Sequence, residues 1–290
     1  MIPKNIEKIF APPPVHFVGD GFRVHNFISS LPGLDMRRMD PFILLDYNAP
    51  HYFPPTDRPR GVSVHPHKGF ETVTIAYKGR IAHHDSSGGG GIIHEGEVQW
   101  MTAGAGLLHK EYHESSFSAA GGYFHMAQLW VNLPAKHKPT HPKYQHISRD
   151  SIVKVNLPGQ GHALLIAGEY LGHRGPANTF SPVLFMNVVL SNGEKTQLSL
   201  NEGYSSALVV VEGNIVVNNQ AVGTNHFVLL EREGETIDLR AGTDAVVLVM
   251  SGKPLNEPIA AQGPFVMNTR AELIEAYQEF QSGKFGYLEE

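Results

Sequence analysis

The chain has 290 residues, with 23 Lys and Arg against 28 Asp and Glu and a formal net charge of −5. That balance, with no basic run longer than two residues, excludes the electrostatic footprint of a direct nucleic-acid binder. The absence of cysteine excludes disulfides, thiolate nucleophiles and Cys-ligated zinc or iron–sulfur centres, so any metal must be held by His, Asp or Glu.

The first ten residues, MIPKNIEKIF, have neither the apolar core nor the small-residue cleavage site of a secretory signal. The longest apolar runs, such as residues 245–250, are too short to span a bilayer. The expectation is a cytoplasmic protein without membrane contact. Short runs rich in Val, Ile, Thr, Tyr and Phe then follow one another between glycines and prolines: 22–27, 42–45, 72–77, 128–132, 183–190, 207–211, 215–217, 226–230 and 245–250. Short strands with turn chemistry at this spacing predict an all-β sandwich or barrel. Gly88–Gly91 follows no strand–helix pattern and precedes no Lys-Ser/Thr, so it reads as a hairpin loop rather than a phosphate cradle. The proline-rich stretch LPAKHKPTHPKY (133–144) reads as a linker or excursion, giving expected domains 1–140 and 141–290, with chain ends (1–20 and 260–290) free to cross over. One helix is predicted near the C-terminus. Thr269-Arg270-Ala271-Glu272 fits a capping box, Leu273, Ile274, Tyr277 and Phe280 follow at helical spacing, and Gly283 is a stop.

Sixteen of the 17 histidines lie at or before His173, which suggests metal or proton chemistry confined to one half. Within that half, His65-Pro66-His67 puts two imidazoles on one face of a strand, since residues i and i+2 point the same way. His109-Lys110-Glu111 repeats the spacing. A lone His-x-His is more often a surface or core feature than a ligand set. A second pair on a facing strand converges four donors on one point, leaving about two coordination positions open for water, O2 or substrate. Glu71 is the rival ligand: it shares the face of His67 if the strand runs straight, and Gly69 permits a bulge that breaks that parity. Otherwise it is a partner that orients an imidazole or a charge at the barrel mouth. His83, His84, His94, His113 and His125 read as supporting, pocket-lining or surface residues, with His113 the first to check. Adjacent His83 and His84 face opposite ways on a strand. No serine sits in a G-x-S-x-G elbow.

His65-Pro66-His67-Lys68-Gly69-Phe70-Glu71-Thr72 resembles the H-P-H-[RK]-G-F-E-T signature of the pirin family. Gln99-Trp100-Met101-Thr102-Ala103-Gly104 followed by Leu108-His109-Lys110-Glu111 is similar to its second motif. Asp40-Pro41-Phe42, Gln128 to Pro134, Tyr144-Gln145 and Tyr277-Gln278 match as well, so the resemblance runs essentially the whole length. It implies a bicupin: two tandem double-stranded β-helix (jelly-roll) barrels, the first binding metal, the second degenerate because no His-x-His occurs around 198–213 and no ligand pair near His226. It carries the four ligands over to His65, His67, His109 and Glu111. It further implies one divalent transition metal per chain, usually Fe(2+), with Mn, Ni, Cu, Zn or Co accepted. The activity implied is that of a quercetin 2,3-dioxygenase. A small aromatic substrate (a flavonol or related enol or catechol) would meet O2 at the metal, with Glu111 as ligand and base and Phe53, Phe70, Phe124 and Met126 as pocket walls. The alternative is a redox-sensing regulatory protein that contacts a transcription factor or metabolic enzyme without significant turnover. A cupin isomerase is a weaker third reading, since only Arg58, Arg60 and Lys68 could serve a sugar phosphate. Two departures from the general cupin pattern are Gly61, four rather than six residues before the first ligand, and Gly104 in place of proline.

Overall fold

The computed structural model describes residues 2–290. They form two compact β units. One comprises Pro14–Arg37, Phe42–Arg149 and Leu255–Glu290; the other comprises the N-terminal residues through Pro13, Arg38–Pro41 and Asp150–Pro254. The first holds 14 of the 17 histidines, the exceptions being His162, His173 and His226, and is called the histidine-rich unit below. The second is the apolar unit.

Each unit has one seven-stranded and one four-stranded antiparallel sheet. In the histidine-rich unit the large sheet runs in the order 143–147, 98–102, 70–78, 122–132, 42–53, 22–26, 16–18, and the small one 61–67, 107–113, 81–85, 90–93. In the apolar unit the orders are 6–10, 227–230, 205–212, 245–252, 183–190, 162–167, 153–156 and 195–199, 236–241, 215–217, 220–222. Both are jelly-roll sandwiches of the expected class. Alternation explains the strands locally: Leu107–His113 has Leu107, His109, Glu111 and His113 buried and the residues between them half-buried, the two-residue period of a strand with one face inward.

The division is not contiguous, and it departs from the expected 1–140 and 141–290. The chain passes from one unit to the other at Arg149/Asp150, and both ends are exchanged. Ile6–Phe10 pairs with Phe227–Leu230, which closes the large sheet of the apolar unit. The C-terminal segment belongs to the histidine-rich unit. There the helix Arg270–Gln281 begins with the predicted reciprocal capping box between Thr269 and Glu272 and buries Leu273 and Ala276 beside Phe265, Met267 and Phe285. Ile274, expected on its apolar face, is exposed. The stretch 133–144 is no free linker. The ammonium of buried Lys138 donates to Gly69 O at 2.7 Å, Asn132 Oδ1 at 2.7 Å and Val266 O at 2.8 Å, which satisfies all three of its donors inside this unit.

Two glycines are required by geometry. Gly69 has φ +91°, and a Cβ there would lie 2.0 Å from Val266 O; a Cβ on Gly61 would lie 2.3 Å from Glu111 O. The first is the turn after His67 and the second lets the ligand strands approach. The tetraglycine does form a hairpin: Gly90–Ile93 pairs with Ile81–Asp85, and Asp85 Oδ1 accepts from the amides of Ser87 and Gly89 across the turn. No helix among the described residues is long and apolar enough to cross a membrane.

Candidate metal centre

Strands 61–67 and 107–113 are neighbours, with His109 opposite His65 and Leu107 opposite His67. That register gathers three rings: centroids are 4.2 Å apart for His65–His109, 4.7 Å for His67–His109 and 4.8 Å for His65–His67. One nitrogen of each lies within 4.8 Å of the others. Glu111 joins through His109: it forms a second group of the same tightness with His109 and His83. The four expected donors are therefore divided between two triads that share His109, with His83 as the fifth member.

The imidazoles are in the form a metal needs. Burial, then the neighbouring imidazoles, hold His67 and His109 well below the usual histidine range; burial also lowers His65, against hydrogen bonding to Ser63 O and the Glu111 carboxylate. Neutral rings keep a lone pair free. His65 Nδ1 donates to Ser63 O at 2.8 Å and His67 Nδ1 to Pro264 O at 3.3 Å, so on each ring Nε2 is the remaining donor atom. His109 Nε2 is buried with no hydrogen-bond partner. An orphaned imidazole nitrogen beside two others is costly unless something coordinates it, and the donor set of nitrogens and a carboxylate suits a divalent first-row ion. The residues fit a metal.

The carboxylate is held from the opposite sheet. Gln99 Nε2 donates to Glu111 Oε1, Gln128 Nε2 to Oε2 at 2.7 Å and Thr74 Oγ1 to Oε1 at 3.4 Å. These donors stand in one row across the large sheet. Cα pairing runs Asn26–Asp46–Gln128–Thr74–Gln99 over five adjacent strands. A carboxylate offers about four acceptor positions. Three are taken by protein donors, and a metal would take the last, so the base role expected of Glu111 meets a filled carboxylate.

Behind His109 lie residues that sequence reasoning ranked low or missed. His83 Nδ1 is 3.4 Å from His109 Nδ1, and its Nε2 is 3.2 Å from Asp85 Oδ2. Burial works to raise the Asp85 carboxyl, but hydrogen bonds from His83, Ser87 and Gly89 bring it below its ordinary value. Tyr144 stacks on His83 at 5.0 Å, and burial, then the Glu111 charge, raises its phenol. The signal for this pair was present in the sequence: His83-x-Asp85 has the same i, i+2 spacing as the two ligand pairs.

Other expected residues lie elsewhere. Glu71 orients no imidazole. His67 ends one strand, the Gly69 turn intervenes and Phe70 begins the next, in the other sheet. On that strand Thr74 faces Glu111, so Glu71 faces away, accepting from Thr102 Oγ1 at 2.7 Å. Burial raises its carboxyl to about 7. His113 is inward but away from the cluster. Its Nε2 donates to Gly21 O at 2.8 Å, and burial lowers it to about 4. Phe53 and Phe124 pack against it in the core and do not line the cavity beside the histidines. Phe70 stacks on Trp130 and meets the edge of His67. Of the four expected walls only Met126 lines the cavity, which has a volume of ≈ 160 Å³, is partly open to solvent and reaches His65, His67 and Glu111.

The family profile described as pirin matches residues 21–131, and the profile of the pirin C-terminal cupin domain matches residues 185–286. A Pseudomonas aeruginosa protein provisionally named a quercetin 2,3-dioxygenase is 44% identical over 283 residues, spanning 97% of this chain and 98% of its own. Rattus norvegicus pirin is 34% identical over 275 residues, spanning 93% and 89%. The crystal structure of a quercetin 2,3-dioxygenase from Acinetobacter baumannii is 48% identical and superposes with a TM-score of 0.92 over 99% of both chains.

Proposed function

The chain belongs to the pirin family, and from that premise we propose that its histidine-rich unit is a metal-dependent dioxygenase of the quercetin 2,3-dioxygenase type, acting with O2 on a flavonol or a related enol or catechol. The observation that carries this reading is the unpartnered, buried His109 Nε2 beside His65 and His67, two imidazoles that line a partly open pocket together with Glu111. In this reading His65, His67, His109 and Glu111 hold one divalent metal per chain, with Fe(2+) as resident ion and Mn, Ni, Cu, Zn or Co as ions the same donors accept.

The bound metal supplies Lewis acidity that lowers the pKa of a substrate hydroxyl and a point at which O2 and substrate meet. The protein supplies orientation. The carbonyls of Ser63 and Pro264 fix two imidazole tautomers, and the amides of Gln99 and Gln128 fix the carboxylate. Val24, Met126 and Trp130 give the pocket apolar walls that exclude water around the reacting group.

The test is to purify the protein without chelator, measure metal by mass spectrometry, and follow quercetin loss and O2 uptake on the same sample. Metal near one per chain with coupled O2 consumption is the expected result. Metal near one per chain with no O2 uptake on flavonols, enols or catechols overturns the dioxygenase reading in favour of a metal-binding regulatory protein.

A further inference from the structure

The pocket contains a second carboxyl that the ligand assignment does not use. Asp46 lines the same cavity as His65, His67 and Glu111. It stands opposite Gln128 in the ladder between strands 42–53 and 122–132, one step along the polar row from the amide that holds Glu111. It is clamped from its other side: Asn26 Nδ2 donates to Asp46 Oδ1 at 2.7 Å, and Ser30 Oγ donates to Asn26 Oδ1 at 2.6 Å. Among the described residues no donor reaches Asp46 Oδ2. Gln99, Gln128 and Thr74 all donate to Glu111, and Glu111 has no acceptor position left once a metal is bound.

We propose that Asp46 Oδ2 is the acceptor that takes the hydrogen bond of a ligand hydroxyl in the metal pocket, and that the part of the ligand held there is a single hydroxylated ring. The proposal rests on the dioxygenase reading for the kind of ligand and extends it. Two observations support it besides the free oxygen. The clamp through Asn26 and Ser30 holds the carboxyl in one orientation, the usual preparation for a recognition group. The cavity volume of ≈ 160 Å³ is close to the roughly 150 Å³ of a benzene-binding cavity, so one ring fits inside and the remainder of a larger ligand projects through the open side. The lining supports a flat apolar body, with Phe22, Val24, Met126 and Trp130 around it. Burial raises the Asp46 carboxyl, against the Asn26 hydrogen bond and the His16 charge, which makes it a stronger acceptor than a solvated carboxylate. A vicinal diol would use one oxygen at the metal site and the other at Asp46. An isolated hydroxyl would have to choose.

The experiment is an anaerobic titration of the metal-loaded protein with 4-nitrocatechol and its two mono-O-methyl ethers, followed by visible absorbance, on the wild type, Asp46→Ala and Asp46→Asn. Metal content is measured on each sample. The wild type is expected to prefer the diol over both ethers. Asp46→Ala is expected to weaken the diol roughly ten- to a hundredfold, the range for a hydrogen bond to a charged group, and to erase the preference at unchanged metal content. Asp46→Asn should fall between them. Equal diol affinity in wild type and Asp46→Ala overturns the proposal, as does no diol binding to the wild type, or a loss of metal in Asp46→Ala that tracks the loss of binding. Because no oxygen is present, the outcome is separate from turnover. Diol binding that depends on Asp46, in a protein that consumes no O2 with any of these compounds, upholds this assignment while the dioxygenase reading falls.

Discussion

The middle strand of the large sheet is Gly122–Asn132 in the histidine-rich unit and Ala245–Gly252 in the apolar one. The second sends Val247 and Val249 into a cluster with Met186, Leu208, Val210 and Leu239, all of them buried. The first sends Met126, Gln128 and Trp130 toward a cavity. The same seven-plus-four arrangement of strands therefore packs this inner face into an apolar cluster in one unit and turns it toward a polar cavity in the other. What differs is the side-chain set on the inner face. An apolar interior is stabilised by burial alone, at about 25 cal/mol per Å². A polar interior survives only where its groups find partners, and the row from Asn26 to Gln99 finds them through its own hydrogen bonds and Glu111, with the cavity-facing Asp46 Oδ2 the exception.

If the apolar unit is a packing device, deleting core volume there should give the largest stability effect. Leu208 is fully buried in its cluster. Leu208→Ala is expected to cost about 2–5 kcal/mol, read from the urea midpoint, while metal stoichiometry of the folded protein stays at the wild-type value. A fall in metal per folded chain would break the comparison, because it would tie the apolar core to the metal centre.

The histidine-rich unit should show the larger pH dependence, since the apolar one holds a single histidine that burial lowers, His162. His125 is buried, bonded to Tyr47 Oη at 2.8 Å, and lowered to about 4 by burial, with Lys78 adding to the shift. Its folded value lies below the unfolded one of about 6.5. The unfolded chain therefore binds the proton first as pH falls, and stability is full above about 6.5 and lost between about 6.5 and 4. The slope contributed is at most about 1.4 kcal/mol per pH unit, roughly 3 kcal/mol across the window. His125→Gln keeps a polar partner for Tyr47 without a titrating group, and is expected to flatten the stability profile of the chelator-treated protein over that window. His226→Ala, at a half-buried position of the apolar unit, should leave the profile as it was. An unchanged slope in His125→Gln would mean that the ring is already charged or solvated in the folded state.

Metal content sharpens the comparison further. His67→Ala or Glu111→Ala is expected to lower metal occupancy by at least roughly tenfold with the circular dichroism of a β protein retained, and His226→Ala to leave it unchanged. Full occupancy in either of the first two variants would sink the ligand assignment.

These pairs were legible because they depend on short-range geometry. His65/His67 and His109/Glu111 are each two residues apart, and the strand period fixes their common face whatever the rest of the chain does. The capping box at Thr269 was legible for the same reason. The parity of Glu71 was left open because a single glycine decides it, and Gly69 turns out to end one strand and start another in a different sheet. The polar row could not be read at all. Asn26, Asp46, Gln128, Thr74 and Gln99 sit on five strands, and only the register between strands brings them into line. Register is set by long-range pairing, which no local pattern records. The exchange of the chain ends was left open by the sequence: the helix was visible as a helix, while its assignment to a unit depends on which core its apolar face meets.

That assignment supports the smallest expected effect. Thr269 Oγ1 accepts from Glu272 N at 3.2 Å, and Glu272 Oε2 accepts from Thr269 N at 2.8 Å. Thr269→Ala removes the first of these bonds and is expected to cost about 1 kcal/mol. The helix lies in the same segment as Pro264, whose carbonyl orients His67, and Lys68 pairs with Glu279. Loosening the helix should therefore be felt along residues 61–78, the strands that carry the first ligand pair. Amide hydrogen exchange separates the alternatives. Faster exchange in 61–78 and 260–285 with 183–252 unchanged is the result the exchanged ends require. Faster exchange in 183–252 with 61–78 unchanged would return the helix to the unit that contiguous domains of 1–140 and 141–290 would have given it, and the contrast between a barrel completed by the C-terminal segment and one completed by the N-terminal strand would have to be redrawn.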